Sequence, residues 1–237
     1  MNSIEVCFTP ELIHLHEVKG KLVVVVDIFR ATSTMVAALA HGVTEILPFA
    51  DLESCRVMQG QGYLIAGERD GLTAPGFELG NSPVAFLEGY YAGKKLAMTT
   101  TNGTLALEKS KSASEILIGA FPNLQATASY IQSRNLDVLI HCAGWKGRFN
   151  LEDSLYAGAL VQSLSGSHAH QEDGALAMGS LFAQEGNNLA TYLAQASHAK
   201  RLQNHGIEAD IAFCLTLNQY KQVVGLALDG ALRVIEG

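Results

Sequence analysis

Short apolar runs alternate along the chain with longer segments in which apolar residues recur at helical spacing. Runs rich in β-branched residues predict strands, and they lie at Leu22–Asp27, Thr44–Phe49, Tyr63–Ala66, Leu96–Thr99, Ile116–Gly119 and Val138–Cys142. The segments with helical spacing predict helices at Ser33–His41, Leu52–Gln61, Gly103–Lys109, Leu124–Arg134, Glu152–Ser163, Gly174–Phe182 and Leu189–His205.

Strands that alternate with helices predict a parallel sheet covered by helices on both faces. The unbroken apolar run Val23–Val26 agrees, because a strand buried on both faces has no polar side. Near the C-terminus, Val223–Leu228 and Ala231–Ile235 flank Asp229-Gly230, which indicates a two-residue hairpin turn. The expected fold class is therefore α/β: a three-layer α/β/α arrangement with a mostly parallel central sheet and a C-terminal β-hairpin.

The length of 237 residues permits one large domain or two small ones. We expect a single domain over residues 1–237. The stretch 166–174 has the composition of a loop. The alternative is therefore a division near this stretch into an α/β core, 1–165, and a C-terminal part, 175–237.

Charge and composition exclude several classes of partner. The formal net charge is −7, without a block of like charges, so we expect no nucleic-acid partner. The chain begins without a basic segment and an apolar one behind it, and no apolar run approaches membrane-spanning length, so we expect no signal peptide and no membrane partner. The four cysteines are far apart, as is typical of reduced thiols in the core of a cytoplasmic protein; they are Cys7, Cys55, Cys142 and Cys214.

The stretch 22–34 carries the most chemical information. Asp27 ends an apolar run, Arg30 follows, and the hydroxyls of Thr32 and Ser33 open a helix. A carboxylate suits Mg²⁺, and a guanidinium suits a phosphate because its planar fork donates two parallel hydrogen bonds. The alternative is a structural ion pair beside a helix that a hydroxyl caps.

A second acid and arginine, Glu68 and Arg69, follow the strand predicted at Tyr63–Ala66. They begin a glycine-rich turn that continues to Asn81 and Ser82. A loop that carries this mixture of side chains often binds a ligand. The alternative is a surface loop with a salt bridge.

A third polar turn follows the strand at Leu96–Thr99 and contains Thr101, Asn102 and Gly103. Its backbone N–H groups can surround an anion. A helix cap by Asn102 or Thr101 explains the same residues and is the alternative.

A fourth turn contains Lys146 and Arg148, after which Glu152 and Asp153 open a helix. These two acids suit metal ligands or a general base, but acids in the first turn of a helix also interact favourably with its dipole. Because ligands of open parallel sheets bind at the carboxyl ends of the strands, we expect these strand-end turns to meet at one site.

Taken in order, these segments resemble the 2-phosphosulfolactate phosphatase family over nearly the whole chain. The resemblance rests on Val-Asp-Ile-Phe-Arg-Ala-Thr-Ser-Thr, on Gly-Glu-Arg-Asp-Gly with the later Gly-Phe-Glu-Leu-Gly-Asn-Ser-Pro, on Thr-Thr-Asn-Gly-Thr, and on Cys-Ala-Gly with the later Leu-Glu-Asp. It implies Mg²⁺-dependent hydrolysis of 2-phospho-3-sulfolactate to 3-sulfolactate and phosphate, a step toward coenzyme M. The chain has Leu105 where the family commonly has arginine, and Glu78 where it commonly has aspartate.

The resemblance and the chemistry of the side chains together assign the expected site. The expected Mg²⁺ ligands are carboxylates, namely Asp27, Glu68, Glu152 and Asp153. The expected catalytic residues are Asp27, Arg30, Glu68 and Glu152. The expected substrate-binding residues are Arg30, Thr32, Ser33, Arg69, Asn81, Ser82, Thr101, Asn102, Gly103 and Arg148.

We expect a water, positioned by metal or carboxylate, to attack the phosphorus of a small anionic phosphate monoester in line. In the alternative mechanism Asp27 is the nucleophile and forms an aspartyl-phosphate. The alternative function is a non-catalytic protein that binds a small phosphorylated or sulfonated metabolite. A homodimer is the expected assembly.

Overall fold

The computed structural model describes residues 1–202 and 207–235, and within them eleven strands join in one sheet. The strands are β1 (Asn2–Cys7), β2 (Leu22–Val26), β3 (Glu45–Pro48), β4 (Leu64–Arg69), β5 (Leu72–Thr73), β6 (Lys95–Thr99), β7 (Glu115–Gly119), β8 (Val138–Cys142), β9 (His168–His170), β10 (Val223–Leu226) and β11 (Leu232–Ile235).

The α-helices of the same residues lie between these strands or follow them. They are α1 (Ala31–Ala40), α2 (Leu52–Val57), α3 (Gly103–Lys109), α4 (Leu124–Ser133), α5 (Leu151–Ser163), α6 (Asp173–Glu185), α7 (Leu189–Leu193), α8 (Ser197–Leu202) and α9 (Glu208–Cys214). None of the described helices is long and apolar enough to cross a membrane.

The sheet contains two parallel groups of strands, in the order β5-β4-β6-β3-β11-β10-β7-β2-β8-β1-β9. The first group is β9, β1, β8, β2 and β7, and the second is β3, β6 and β4. The hairpin of β10 and β11 lies between them and pairs antiparallel with β7 on one side and β3 on the other. The two groups therefore run in opposite directions.

Helices α1 and α3 pack into a core to which both groups contribute. Met35 of α1 and Ala106 of α3 belong to the same buried cluster as Val25 of the first group and Met98 of the second. Helix α3 starts just after β6, in the second group, yet it contacts β2 in the first. The sheet must therefore coil around these two helices, which brings the carboxyl ends of both groups toward one place.

Other helices cover the opposite face of the sheet. Helices α4 to α7 pack with β1, β2, β7 and β8 in a second buried cluster. Cys55 of α2 packs with Ile65 of β4 and Ala97 of β6 in a third. Helices on both faces of a mostly parallel sheet, together with the hairpin of β10 and β11, confirm the predicted fold class. All four cysteines are free and buried, as predicted.

Several elements differ from the predictions. The stretch 166–174, predicted as a loop, contains β9, which pairs with β1 at the edge of the sheet. The helix predicted over 189–205 is interrupted between α7 and α8, and its end at 203–206 lies outside the described residues. The helix predicted over 52–61 becomes a 3₁₀ turn after Val57, before Gly62 adopts a φ of 84°. The number of domains stays a prediction.

Helices α5 and α6 approach closely at Gly158. A Cβ atom at this position would lie 2.1 Å from the Met178 carbonyl oxygen. Overpacking lowers the free energy of unfolding by about 1–3 kcal/mol. We expect Gly158→Ala to lie in the upper part of that range, because the atom that the new methyl group meets belongs to the backbone. The higher helix propensity of alanine offsets only about 1 kcal/mol of this loss. Thermal unfolding should therefore show a lower Tm.

Gly166→Ala is the matched control, because no atom lies within 4 Å of a Cβ at that position. Its stability should stay within about 0.5 kcal/mol of the wild type. An unchanged or higher Tm for Gly158→Ala would contradict the packing of α5 on α6.

Candidate active site

A cavity of about 190 Å³ opens where the strand-end turns of both parallel groups meet. It is lined by Asp27, Phe29, Arg30, Glu68, Asp70, Gly71, Asn81, Thr101, Asn102, Trp145, His198 and Arg201. The strand-end turns therefore meet at one cavity, as predicted. They do not come from one edge of a single parallel sheet, because the two groups of strands run in opposite directions. Coiling of the sheet joins ends that a flat sheet would place at opposite edges.

Asp27, directly after β2, lies against the start of α3. A Cβ atom at Gly103 would lie 2.9 Å from Asp27 Oδ2 and 3.0 Å from the Ala31 Cβ. Only glycine permits this approach without a shift of the neighbouring atoms. Gly103 thus lets the turn after β6 close on the carboxylate at the end of β2.

The Asp27 carboxyl is buried, and burial raises its pKa to about 7. The charge of His198 opposes this rise, whereas the negative charges of Glu68 and Glu152 add to it. Asp27 is therefore a carboxyl that exchanges its proton near neutral pH. Its environment disfavours the ionised form unless a cation is close.

Glu68 is the last residue but one of β4 and is also buried. Its Oε1 accepts a hydrogen bond of 2.6 Å from the Gly71 N–H, and its Oε2 accepts longer ones of 3.4 Å from the N–H and hydroxyl of Thr101. Glu68 therefore joins the turns that follow β4 and β6. Its carboxylate lines the cavity together with Asp27.

Glu152, in the first turn of α5, is fully buried and holds His198. Its Oε1 accepts a hydrogen bond of 2.5 Å from His198 Nδ1. Its Oε2 is buried without a hydrogen-bond partner among the described residues. Because Nδ1 is engaged, Nε2 is the ring nitrogen of His198 left for a ligand in the cavity.

Asp153 is fully buried beneath the cavity and does not line it. It accepts hydrogen bonds of 2.8 Å from the Ile28 N–H and 3.1 Å from the Gly144 N–H. Burial and the neighbouring charges of Glu152 and Asp27 raise the pKa of Asp153 well above its ordinary range. Asp153 therefore connects the segments that follow β2 and β8 through these two hydrogen bonds.

Arg30 lines the cavity, but protein groups already engage its guanidinium. Nη1 forms a buried ion pair with Asp210 of α9, and Nη2 donates a hydrogen bond of 2.9 Å to the Gly71 carbonyl oxygen. Asp210 also accepts a hydrogen bond of 2.6 Å from the Ser82 hydroxyl. Arg30 and Ser82 therefore fix the loops at the cavity wall to α9.

The remaining predicted residues divide into two sets. Thr101, Asn102 and Asn81 line the cavity, and the buried Asn81 Oδ1 has no hydrogen-bond partner among the described residues. Thr32, Ser33, Arg69 and Arg148 do not line the cavity.

The hydroxyls of Thr32 and Ser33 are buried and donate hydrogen bonds of 2.9 Å to the carbonyl oxygens of Asp27 and Ile28. Arg69 donates to the Glu68 carbonyl oxygen at 2.6 Å and to Thr99 at 3.2 Å. These contacts stabilise the local turns. Exposed Arg148 does not line the cavity.

Sequence reasoning missed His198, Arg201 and Asp210, all in the C-terminal helices. His198 and Arg201 are three residues apart on α8, a spacing that places them on one helix face. Both line the cavity. That spacing is the available sequence signal, but no local pattern connects His198 with its partner Glu152, which lies 46 residues earlier in the chain.

The four carboxylates predicted as metal ligands do not form one group. Among residues 1–202 and 207–235, no three Asp, Glu, His or Cys side chains are arranged to hold a metal ion by themselves. Mg²⁺ usually takes one or two carboxylates together with waters and substrate oxygens. Asp27 and Glu68, which face the cavity, meet that smaller requirement.

Comparison with known proteins places the chain among phosphatases. A family model described as 2-phosphosulpholactate phosphatase matches residues 7–227. A relative from Thermotoga maritima is 41% identical over 209 residues, which cover 88% of this chain and 90% of the relative. A relative from Caldanaerobacter subterraneus is 37% identical over 222 residues, 92% of each chain. A relative from Gloeobacter violaceus is 39% identical over 222 residues, covering 91% of this chain and 92% of the relative.

All three relatives carry the name probable 2-phosphosulfolactate phosphatase. The fold, the acidic cavity and these matches define the class of protein as a phosphoric monoester hydrolase. The chain belongs to the 2-phosphosulfolactate phosphatase family, as its ordered motifs predicted. Leu105, where the resemblance implied arginine, does not line the cavity.

The raised pKa of Asp27 predicts a pH-dependent effect on stability. Between pH 4 and pH 7 the folded state keeps a proton that the unfolded state has lost, so the free energy of unfolding falls as pH rises. Asp27→Asn removes this penalty. At pH 8 it should raise stability by at least about 1 kcal/mol, which is a Tm increase of about 2–4 °C. The gain should shrink toward pH 5.

Calorimetry of both proteins at pH 8 and pH 5 without divalent cations measures this difference. Asp229→Asn is the control, because Arg233 lowers the pKa of Asp229 and the same replacement should weaken the fold at pH 8. A Tm gain of Asp27→Asn that is equal at both pH values would contradict the raised pKa.

Proposed function

We propose that this enzyme hydrolyses 2-phospho-3-sulfolactate to 3-sulfolactate and phosphate and that it depends on Mg²⁺. The observation that carries the proposal is the buried carboxyl of Asp27 beside Glu68 at the wall of the cavity. The names of the relatives support the choice of substrate. Family membership favours an enzyme over the alternative of a metabolite-binding protein.

The residues around Asp27 fit a divalent cation. Burial, with the neighbouring negative charges of Glu68 and Glu152, raises the pKa of this carboxyl, and the buried Glu152 Oε2 has no hydrogen-bond partner among the described residues. Asp27 and Glu68 would hold the ion from the cavity wall. Bound there, Mg²⁺ supplies charge neutralisation at the phosphoryl oxygens.

The side chains of the cavity account for substrate positioning. The Asn102 amide lines the cavity and is a donor suited to phosphoryl oxygens. Glu152 holds His198 through Nδ1, which leaves Nε2 for the bridging ester oxygen, the atom that departs with sulfolactate. A water then attacks phosphorus in line, the bond between phosphorus and the bridging ester oxygen breaks, and one proton of the water ends on the hydroxyl of the released 3-sulfolactate. Because phosphoryl transfer depends mainly on positioning and electrostatics, this set needs no covalent nucleophile.

Release of inorganic phosphate from a panel of small phosphorylated acids tests the activity. The panel should include 2-phospho-3-sulfolactate, with Mg²⁺ and with a chelator. We expect release from this compound with Mg²⁺ and loss of release after chelation. Activity that chelation leaves unchanged would contradict the metal, and absence of release from every compound would contradict the phosphatase function.

Thermal unfolding tests the metal independently of activity. At about a hundredfold excess over its Kd, a ligand stabilises a protein by about 2.7 kcal/mol. For a chain of this size the corresponding Tm increase is about 5–10 °C. We expect such a shift with Mg²⁺ at pH 8, a smaller one below pH 7 because Asp27 must lose its proton, and none in Asp27→Asn. Equal shifts in both proteins would place the ion elsewhere.

A further inference from the structure

Arg201 lies at the wall of the cavity, stacked on an aromatic ring. Its Cζ lies 3.9 Å from the centre of the Trp145 ring, and both side chains line the cavity. Trp145 belongs to the turn after β8, whereas Arg201 belongs to α8. The stack therefore joins the C-terminal helices to the strand-end turns.

Other cations predicted to bind the substrate are engaged or point away. Arg30 is held by Asp210 and by the Gly71 carbonyl oxygen. Arg69 donates its hydrogen bonds to Glu68 and Thr99 and is not part of the cavity wall. Within the part of the chain that the structure describes, Arg201 forms no ion pair and no side-chain hydrogen bond.

Apart from Arg30, which is paired with Asp210, and His198, which is paired with Glu152, the ionisable side chains of the cavity wall besides Arg201 are the carboxyls of Asp27, Glu68 and Asp70, and Asp70 is paired with exposed Lys146. Besides its phosphate, 2-phospho-3-sulfolactate carries a carboxylate and the sulfonate, which is its second strong acid. The carboxylates of the wall repel this substrate unless cations compensate its charge. A cation held by Asp27 and Glu68 would compensate the charge of the phosphate. The second acid needs a separate positive group.

A guanidinium stacked on an indole is suited to this task. Stacking occupies the face of the guanidinium and leaves its N–H donors in the plane free. Two of these donors match two oxygens of a sulfonate or carboxylate, as in other bidentate pairs. The Trp145 ring also limits the orientations of the arginine before an anion binds. Binding therefore costs less side-chain conformational entropy.

We propose that Arg201, held on Trp145, binds the acidic substituent of the substrate that is remote from the phosphate, and that this group is the sulfonate. Arg201 is thus a specificity-determining residue for a phosphorylated sulfonic acid. The proposal rests on the proposed function. It places recognition of the second acid on α8 instead of on the strand-end motifs.

A comparison of two substrates tests the proposal. Steady-state hydrolysis of 2-phospho-3-sulfolactate and of 2-phospholactate, which lacks the sulfonate, is measured for the wild type and for Arg201→Met. A hydrogen bond to a charged group contributes enough for a loss of about 10- to 100-fold. We expect this loss in kcat/KM, mainly through KM, for the sulfonated substrate. The loss for 2-phospholactate should stay within about threefold.

Arg56→Met is the matched control, because exposed Arg56 also lies over an aromatic ring, 5.5 Å from the centre of Phe77, but stands outside the cavity wall. It should behave as the wild type with both substrates. Arg201→Lys should recover only part of the loss, since an ammonium cannot form the bidentate fork. Equal losses for both substrates in Arg201→Met, or no loss, would overturn the proposal.

Binding of 3-sulfolactate and lactate, measured by calorimetry, separates this proposal from the proposed function. If the wild type releases no phosphate but binds 3-sulfolactate more tightly than Arg201→Met does, the phosphatase function fails and the sulfonate site stands. If the wild type is active but the two proteins bind 3-sulfolactate equally, the sulfonate site fails and the function stands.

Discussion

The burial of negative charge around Asp27 is the constraint on which the rest of the site depends. Burial raises the pKa of Asp27 to about 7, and Glu68 and Glu152 add to that rise. Buried carboxylates are costly unless donors or cations satisfy them. Backbone N–H groups satisfy Asp153, and His198 satisfies one oxygen of Glu152. The remaining charge at Asp27 favours a cation, which the proposed Mg²⁺ would supply.

The C-terminal helices complete this arrangement. The strand-end turns supply most of the acids, and α8 and α9 bring in His198, Arg201 and the Asp210 partner of Arg30. The C-terminal hairpin adds a second contribution, because β10 and β11 join the two parallel groups of the sheet. Each late element thus holds parts of the site that precede it in the chain. Changes in these helices should therefore alter the site without touching any strand-end motif.

The sequence was sufficient to predict what depends on local pattern. Apolar runs located β2, β6 and β8, and polar residues after them located Asp27, Asn102 and the turn of Trp145. Periodicity defines which faces of a strand are buried, but it does not determine its neighbour or its direction. The opposite direction of the two groups was therefore not predictable. Thr32 and Asp153 illustrate a second limit, because the same residue types serve as ligands or as buried hydrogen-bond partners.

The separation of the two acid-binding groups has a consequence for substrate choice. In the proposed site, Asp27 after β2 and Glu68 in β4 would bind the phosphate through a cation, whereas Arg201 on α8 would bind the sulfonate. The phosphate is common to every substrate of such an enzyme, and the second acid distinguishes one substrate from another. A replacement at Arg201 changes affinity for one part of the substrate and leaves the reacting phosphorus in place. Selectivity among phosphorylated acids can therefore change through α8 while the hydrolytic chemistry at the strand ends is retained.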